Sequence, residues 1–265
     1  MKIAGRVAVI TGGARGIGLA VARSLAADGA RVVLGDVLEE QLHQAVREIR
    51  YAGGEAFAVR ADVTRDEDVA LLMDTAVDRF GAINIVCANA GIIRDGFMLS
   101  PDPATGRTAR VTSSEDFRAV MEVNLVGAFI TLREAARRMA DNGWKGVLLV
   151  TSSINGTGQP GQLNYSSTKA AVALWPKILA GEFHNCGIKN IRVVGIAPGY
   201  TATEGLKSLD PATLNSLLKD MPIGRLVEPE ELAATIKLVI QNEAIHGTTI
   251  EVTGGLTYGA WQRAK

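Results

Sequence analysis

Cysteine, histidine and aromatic residues are scarce in this chain of 265 residues, and neither sign of charge is in excess. Two cysteines, Cys87 and Cys186, are too few for a disulfide scaffold or a cysteine-built metal cluster. Their small and apolar neighbours suggest buried packing for both. Three histidines, His43, His184 and His246, stand far apart with no HxxxH spacing, so no protein metal site is expected. The 28 basic residues match the 28 acidic ones, which leaves no positive excess to meet nucleic acid or an anionic membrane. Aromatics at 5% argue against a base-stacking platform. No apolar run approaches the roughly 18 residues that cross a bilayer. Met1–Arg6 leads straight into a short apolar stretch with no signal-peptide core, so a cytoplasmic protein is expected.

What is plentiful is apolar residues, at 47%, and glycine, with 29 copies. The apolar segments alternate between two periods. Short runs at Val7–Ile10, Arg31–Leu34, Ala56–Val59, Ile83–Cys87, Val147–Val150, Arg192–Ile196 and Thr248–Val252 read as buried strands. Helical spacing fills 17–27, 39–52, 66–79, 114–140, 163–185 and 229–241. Strands of near-continuous apolar character separated by helices predict an α/β fold: a doubly wound, Rossmann-type parallel sheet of about seven strands in a single domain. The stretch 97–111 breaks the rhythm. It is rich in turn formers, as in Ser100-Pro101-Asp102-Pro103, and reads as an inserted loop.

Thr11-Gly12-Gly13-Ala14-Arg15-Gly16-Ile17-Gly18 joins the first strand to the first helix. Glycines there permit a tight turn and a close approach of backbone to a pyrophosphate, which the helix N-terminus then favours. Asp36 ends the second strand, placed to accept hydrogen bonds from the ribose hydroxyls of NAD and to repel the 2′-phosphate of NADP. Arg15 is the contrary sign, since a basic residue in this loop can hold that phosphate. NAD is the expected cofactor and NADP the disfavoured alternative. Tyr165 and Lys169 lie four apart on a helix, hence on one face. A neighbouring ammonium favours a phenolate, so the pair suits proton transfer to or from a substrate oxygen.

Thr11-Gly12-x-x-x-Gly16-x-Gly18 together with Tyr165-x-x-x-Lys169 resembles the classical short-chain dehydrogenase/reductase family, and the likeness extends over essentially the whole chain. The resemblance implies further site residues. Asp62 and Val63 would contact adenine. Asn89-Ala90-Gly91 would line the cofactor after the fourth strand. Pro198, Gly199, Thr201 and Thr203 would lie under the nicotinamide, and Lys169 would hold its ribose. A catalytic serine is implied at the end of the fifth strand, where Ser152 and Ser153 adjoin. The pattern Ser-Ile-Asn-Gly selects Ser153, whereas the usual interval of thirteen before the tyrosine selects Ser152; Ser153 is preferred. Asn124 would hold a relay water near Lys169.

The implied activity is NAD-dependent hydride transfer with a secondary alcohol or ketone. The substrate is expected to be hydrophobic: cyclic, aryl or hydroxyacyl. A mostly apolar substrate loop is expected over 199–225, with Tyr200, Leu206, Leu209, Leu214 and Leu217. The general likeness to 3-oxoacyl-(acyl-carrier-protein) reductases keeps an oxoacyl thioester reductase as an alternative, with Arg133, Arg137 and Arg138 available to an acidic carrier. A non-catalytic nucleotide-binding or scaffold protein is the alternative of a different class. No metal, nucleic acid or membrane partner is expected. Family likeness also implies a homotetramer, and Thr253-Gly254-Gly255-Leu256-Thr257 resembles the family's closing segment.

Overall fold

The longest uninterrupted apolar strands occupy the middle of a sheet, where both faces are covered. The computed structural model describes residues 1–257. Its main sheet joins seven parallel strands: β1 (Val7–Thr11), β2 (Arg31–Asp36), β3 (Glu55–Arg60), β4 (Ile85–Ala88), β7 (Gly146–Thr151), β8 (Ile191–Pro198) and β9 (Thr248–Val252). Their spatial order is β3-β2-β1-β4-β7-β8-β9. The order reverses between β1 and β4, and a crevice opens at the carboxyl ends of the strands on either side of that point. This is the predicted doubly wound, Rossmann-type sheet.

Helices cover both faces. One layer holds α1 (Gly16–Ala27), α2 (Glu39–Tyr51) and α9 (Pro229–Gln241), packed on Ile10, Leu34, Leu149 and Val194. The other holds α3 (Asp66–Phe80), α5 (Ala128–Asp141) and α6 (Leu163–Asn185), packed on Val9, Val33, Val86, Leu148 and Val193. Alternate residues of one strand therefore feed two separate cores, as the period of two requires.

Three local features differ from the sequence expectation. The helix expected over 114–140 is divided into α4 (Ser114–Met121), a π-helical segment Glu122–Gly127, and α5. Within that segment a Cβ on Gly127 would lie 2.5 Å from Val63, so the chain there packs closer to β3's end than any larger residue allows. The insertion is no open loop: β5 (Leu99–Pro101) and β6 (Thr108–Val111) form an antiparallel hairpin. Its turn is closed by Asp102, whose carboxylate accepts from the backbone of Ala104 and Thr105. Cys186 is exposed where burial was expected, because it follows the last turn of α6; Cys87 is buried in β4.

The central strand carries the clearest stability prediction. Leu148 in β7 is fully buried between neighbours on one face of the sheet. Leu148→Ala should cost about 2–5 kcal/mol through lost burial and the cavity left behind. Urea unfolding measures it, and a cost under about 1 kcal/mol would contradict the described core.

Candidate active site

The ends of β1, β4 and β7 are tied together by side chains from the first two. Thr11 Oγ1 accepts from the backbone of Asn89 (3.1 Å) and Ala90 (3.3 Å). Asn89 Nδ2 donates to the carbonyls of Thr11 and Gly12, and its Oδ1 accepts from the Thr151 hydroxyl at 3.3 Å. The glycine loop is held against this knot. A Cβ on Gly12 would come 2.9 Å from Ala90 Cα, and one on Gly18 would come 2.1 Å from the Gly12 carbonyl oxygen. Gly16 takes φ +55°, and α1 begins there with no side-chain cap on its first N–H groups. A capless helix start behind a tight backbone cradle suits a pyrophosphate, so these residues fit a dinucleotide.

The remaining expected cofactor residues surround that cradle. Asp36 ends β2 with Oδ2 accepting from Ala14 N and Oδ1 from Leu38 N, each at 3.1 Å, which holds the carboxylate beside the loop. Arg15 is exposed, and Ile17 lies in the first turn of α1. Asp62 caps its own turn by accepting from the Thr64 backbone and hydroxyl, with Val63 buried beside it. Pro198 ends β8, and a Cβ on Gly199 would strike the Thr253 carbonyl oxygen at 2.7 Å. Thr201 is buried and donates to the Gly199 carbonyl, so its hydroxyl is turned inward. The Thr203 methyl lies 3.4 Å from the position a Cβ would take on Gly16, which brings this segment against the glycine loop.

The residues expected to be catalytic come together around Gly91. Gly91 is exposed; a Cβ there would lie 3.3 Å from Asn124 Oδ1 and 3.8 Å from Lys169 Nζ. Lys169 is 4% exposed, and its ammonium donates to the Thr151 carbonyl at 2.7 Å. Burial lowers its pKa to about 8. Its Nζ sits 5.6 Å from the centre of the Tyr165 ring. Burial pushes the Tyr165 phenol up, a hydrogen bond from Ser153 pulls it down, and the charge of Asp95 raises it further. The expected depression by the lysine does not show, and its ammonium bonds the Thr151 carbonyl.

The two serines separate cleanly. Ser152 is 2% exposed and donates to the Lys169 carbonyl at 2.7 Å. Ser153 instead faces Tyr165 while accepting from Asn155 N at 3.1 Å. Asn124, in the π-helical segment, is 1% exposed and engages Ile92 twice: Oδ1 accepts from its N–H and Nδ2 donates to its carbonyl. It pins the turn after Gly91 beside Lys169. Sequence reasoning missed Thr151 and Ile92, which act through backbone atoms common to every residue. It also missed Asp95 and Gln162, whose signal was an acid and an amide flanking two motifs.

The arginines considered for an acidic carrier are committed elsewhere. Arg133 pairs with Asp66 and Glu134, Arg137 with Glu134 and Asp141, and the buried Arg138 with Asp74 and Glu134. Among the described residues no cluster of His, Cys, Asp and Glu is placed to hold a metal ion. Among them, too, no helix is long and apolar enough to cross a membrane.

Comparison with known proteins matches the short chain dehydrogenase pattern over residues 6–213. The chain belongs to that family. It is 37% identical over 254 residues to cis-4-hydroxycyclohexanecarboxylate dehydrogenase of Sinomonas cyclohexanicum, covering 95% of this chain and 96% of the relative. It is 35% identical over 255 residues to a 3-oxoacyl-(acyl-carrier-protein) reductase of Synechocystis, with 95% and 96% covered. A crystal structure of 7α-hydroxysteroid dehydrogenase with NADH and 7-oxo glycochenodeoxycholic acid superposes with a TM-score of 0.83 at 31% identity, over 96% of this chain and 95% of that one.

Two outcomes follow from this geometry. Ser153→Ala should lower kcat by about 10²–10³, the cost of removing one donor to a reacting oxygen, whereas Ser152→Ala should keep most turnover and lose about 1–3 kcal/mol of stability. Equal kinetic losses in both would contradict the separation. Lys169 is charged in folded and unfolded protein below about pH 8, and only in the unfolded protein between there and the usual lysine range. The chain without cofactor should therefore gain stability as pH rises above about 8, and Lys169→Met should lack that gain in denaturant titrations at pH 7.5 and 9.5.

Proposed function

We propose that the protein is an NAD-dependent dehydrogenase that exchanges a hydride with the carbinol or carbonyl carbon of a hydrophobic secondary alcohol or ketone, with Ser153, Tyr165, Lys169 and Asn124 as its working set. The observation that carries the reading is the convergence of the Tyr165 phenol, the Ser153 hydroxyl and the buried Lys169 ammonium next to the exposed Gly91. Bound NAD supplies the hydride acceptor. In oxidation, Ser153 donates a hydrogen bond to the carbinol oxygen and orients it. Tyr165 takes the hydroxyl proton as the C–H bond is lost, so the alcohol leaves as a ketone and one proton is released. Lys169 holds the ribose, with its ammonium 5.6 Å from the centre of the Tyr165 ring. Asn124 keeps Gly91 and Ile92 against the lysine, and its relay of protons through water belongs to this same proposal.

NAD is favoured by Asp36. Its carboxylate is held at the end of β2 by two backbone N–H groups, so it cannot swing away from a 2′-phosphate without losing both. The cofactor contacts from Gly12, Arg15, Gly16, Ile17, Gly18, Asp62, Val63, Asn89, Ala90, Gly91, Pro198, Gly199, Thr201 and Thr203 are part of the reading. The NADH-bound steroid dehydrogenase and the Sinomonas enzyme support it by likeness, and they favour a cyclic substrate. The Synechocystis relative supports a 3-oxoacyl thioester reductase as the second reading. The ion-paired arginines of α5 speak against its carrier-docking form.

A substrate loop over 199–225 closes the pocket in this proposal. It folds as α7 (Glu204–Lys207) and α8 (Pro211–Leu218), and Leu206, Leu214, Leu217 and Leu218 pack on the core from it. A homotetramer would cover Phe129 of α5 and Leu174 and Ile178 of α6, which are at least half exposed. Sedimentation of the purified protein tests that state, and a clean monomer would refute it.

Initial rates with NAD and NADP across aliphatic, cyclic and aryl secondary alcohols test the function directly. NAD should exceed NADP in kcat/KM by at least about tenfold, a difference of about 1.4 kcal/mol. A preference for NADP would overturn the role given to Asp36. Tyr165→Phe should bind NADH normally, as read by fluorescence titration, and lose about 10²–10⁴-fold in turnover. Near-normal turnover in that variant would remove the phenol from the mechanism.

A further inference from the structure

The mechanism leaves one acidic group at the site without a task. Asp95 lies four residues after Gly91, exposed on a segment that is stitched to the loop before Tyr165. Gly96 N donates to the Gly161 carbonyl at 2.8 Å, and Asn164 Nδ2 donates to the Arg94 carbonyl at 2.9 Å. Gln162 Nε2 donates to Asp95 Oδ2 at 2.8 Å. Among the described residues no hydrogen bond reaches Oδ1, and no arginine or lysine pairs with the carboxylate. A fixed anion with one open oxygen therefore stands close enough to Tyr165 for its charge to act on the phenol.

That anion is wired to the catalytic serine. Gln162 Oε1 accepts from Asn155 Nδ2 at 2.9 Å, Asn155 N donates to Ser153 Oγ at 3.1 Å, and Ser153 bonds Tyr165. Among the described residues the buried Asn155 Oδ1 has no partner. Turning both amides over would leave the Asn155 NH₂ in that unpaired place instead, with its oxygen accepting from the NH₂ of Gln162. It would also set the Gln162 carbonyl against the Asp95 carboxylate, two acceptors face to face. An ionised Asp95, which accepts from the Gln162 NH₂, thus sets the polarity of the chain.

We propose that Asp95 is a specificity-determining residue: its open oxygen receives a hydrogen bond from a second hydroxyl that the substrate carries beside the reacting carbinol, and it excludes substrates with an anionic group there. This rests on the carbinol-oxidation reading above and narrows its substrate class to alcohols that carry a second hydroxyl, and no anionic group, beside the carbinol. The charged and titratable groups facing Tyr165 are Lys169 from α6 itself and Asp95 from the segment after Gly91, with the neutral Ser153 hydroxyl from the end of β7. Partial desolvation by the neighbouring loop holds the carboxyl of the exposed Asp95 above the ordinary carboxylate range, and its charge raises the phenol. The same residue therefore has a second readout, in the pH dependence of oxidation.

The test compares wild type with Asp95→Asn on cyclohexanol, cis-1,2-cyclohexanediol and cis-2-hydroxycyclohexanecarboxylate, each with NAD and with NADP. Asparagine keeps the contact with Gln162 through its amide oxygen but removes the charge. Wild type should favour the diol over cyclohexanol by about tenfold in kcat/KM, as a hydrogen bond to a charged group allows, and the variant should reduce that ratio to about twofold or less. The hydroxy acid should be the poorest wild-type substrate and should gain relative to the diol in the variant. The acidic limb of kcat/KM for cyclohexanol should move to lower pH in the variant, because a phenol ionises more readily without a nearby anion. Asp95→Glu should restore part of the diol preference, which a merely structural role would not predict. If wild type oxidises cyclohexanol but the diol ratio and the pH limb are unchanged by Asp95→Asn, the role of Asp95 is refuted and the dehydrogenase reading stands. If none of the three alcohols is oxidised with either cofactor, both fall.

Discussion

Parallel pairing of the central strands is the constraint from which the site follows. Every strand of the seven-stranded sheet runs the same way, so the carboxyl ends of β1, β4, β7 and β8 meet at one edge. The glycine loop, Asn89-Ala90-Gly91, the adjoining serines and Pro198-Gly199 are far apart in sequence and adjacent only for this reason. The bonds from Thr11 and Asn89 then hold those ends in register, and Lys169 reaches back from α6 to the last carbonyl of β7. Chemistry at this edge borrows its precision from the sheet rather than from its loops.

Burial moves the pKa values of the two partners of α6 in opposite directions. It disfavours the ammonium of Lys169 and the phenolate of Tyr165 alike, since both are charged forms in a poorly solvated place. The surroundings compensate unequally. Lys169 finds a carbonyl, and Tyr165 finds the Ser153 hydroxyl but also the Asp95 charge. A phenol held in its protonated form suits donation to a carbonyl oxygen, and the proposed oxidation must draw on positive charge nearby to release it. The balance between the two directions therefore resides in groups that surround the tyrosine as much as in the tyrosine itself.

Most of the fold was legible from period alone. The seven apolar runs became the seven strands with boundaries shifted by one or two residues, because strands of this length buried on both faces have few alternatives. The helix over 114–140 was right in extent and wrong in regularity. A π-helical segment leaves the apolar spacing almost unchanged, and it is set by the close packing of Gly127 on Val63 and the bonds of Asn124 to Ile92. The hairpin over 99–111 was read as loop, since its strands are only three and four residues long, exposed, and separated by turn formers. At the site, the motif residues were named in advance and Ser153 was preferred to Ser152 on its local pattern, whereas the orientation of the two hydroxyls, onto the Lys169 carbonyl and toward Tyr165, had no sequence signal. The backbone partners Thr151 and Ile92 carry no sequence signal, and Asp95 and Gln162 gain meaning only once the fold brings them together.

The central claim is a direct hydride transfer at the edge where Tyr165, Ser153 and Gly91 meet. Incubating the enzyme with NAD and cyclohexanol deuterated at the carbinol carbon, then examining the nicotinamide by NMR, tests it most directly. The account predicts reduced cofactor carrying one deuterium at C4, on a single face of the ring. Reduced cofactor without that label would contradict direct transfer, and a failure to reduce any cofactor with this or other secondary alcohols would contradict the assigned chemistry.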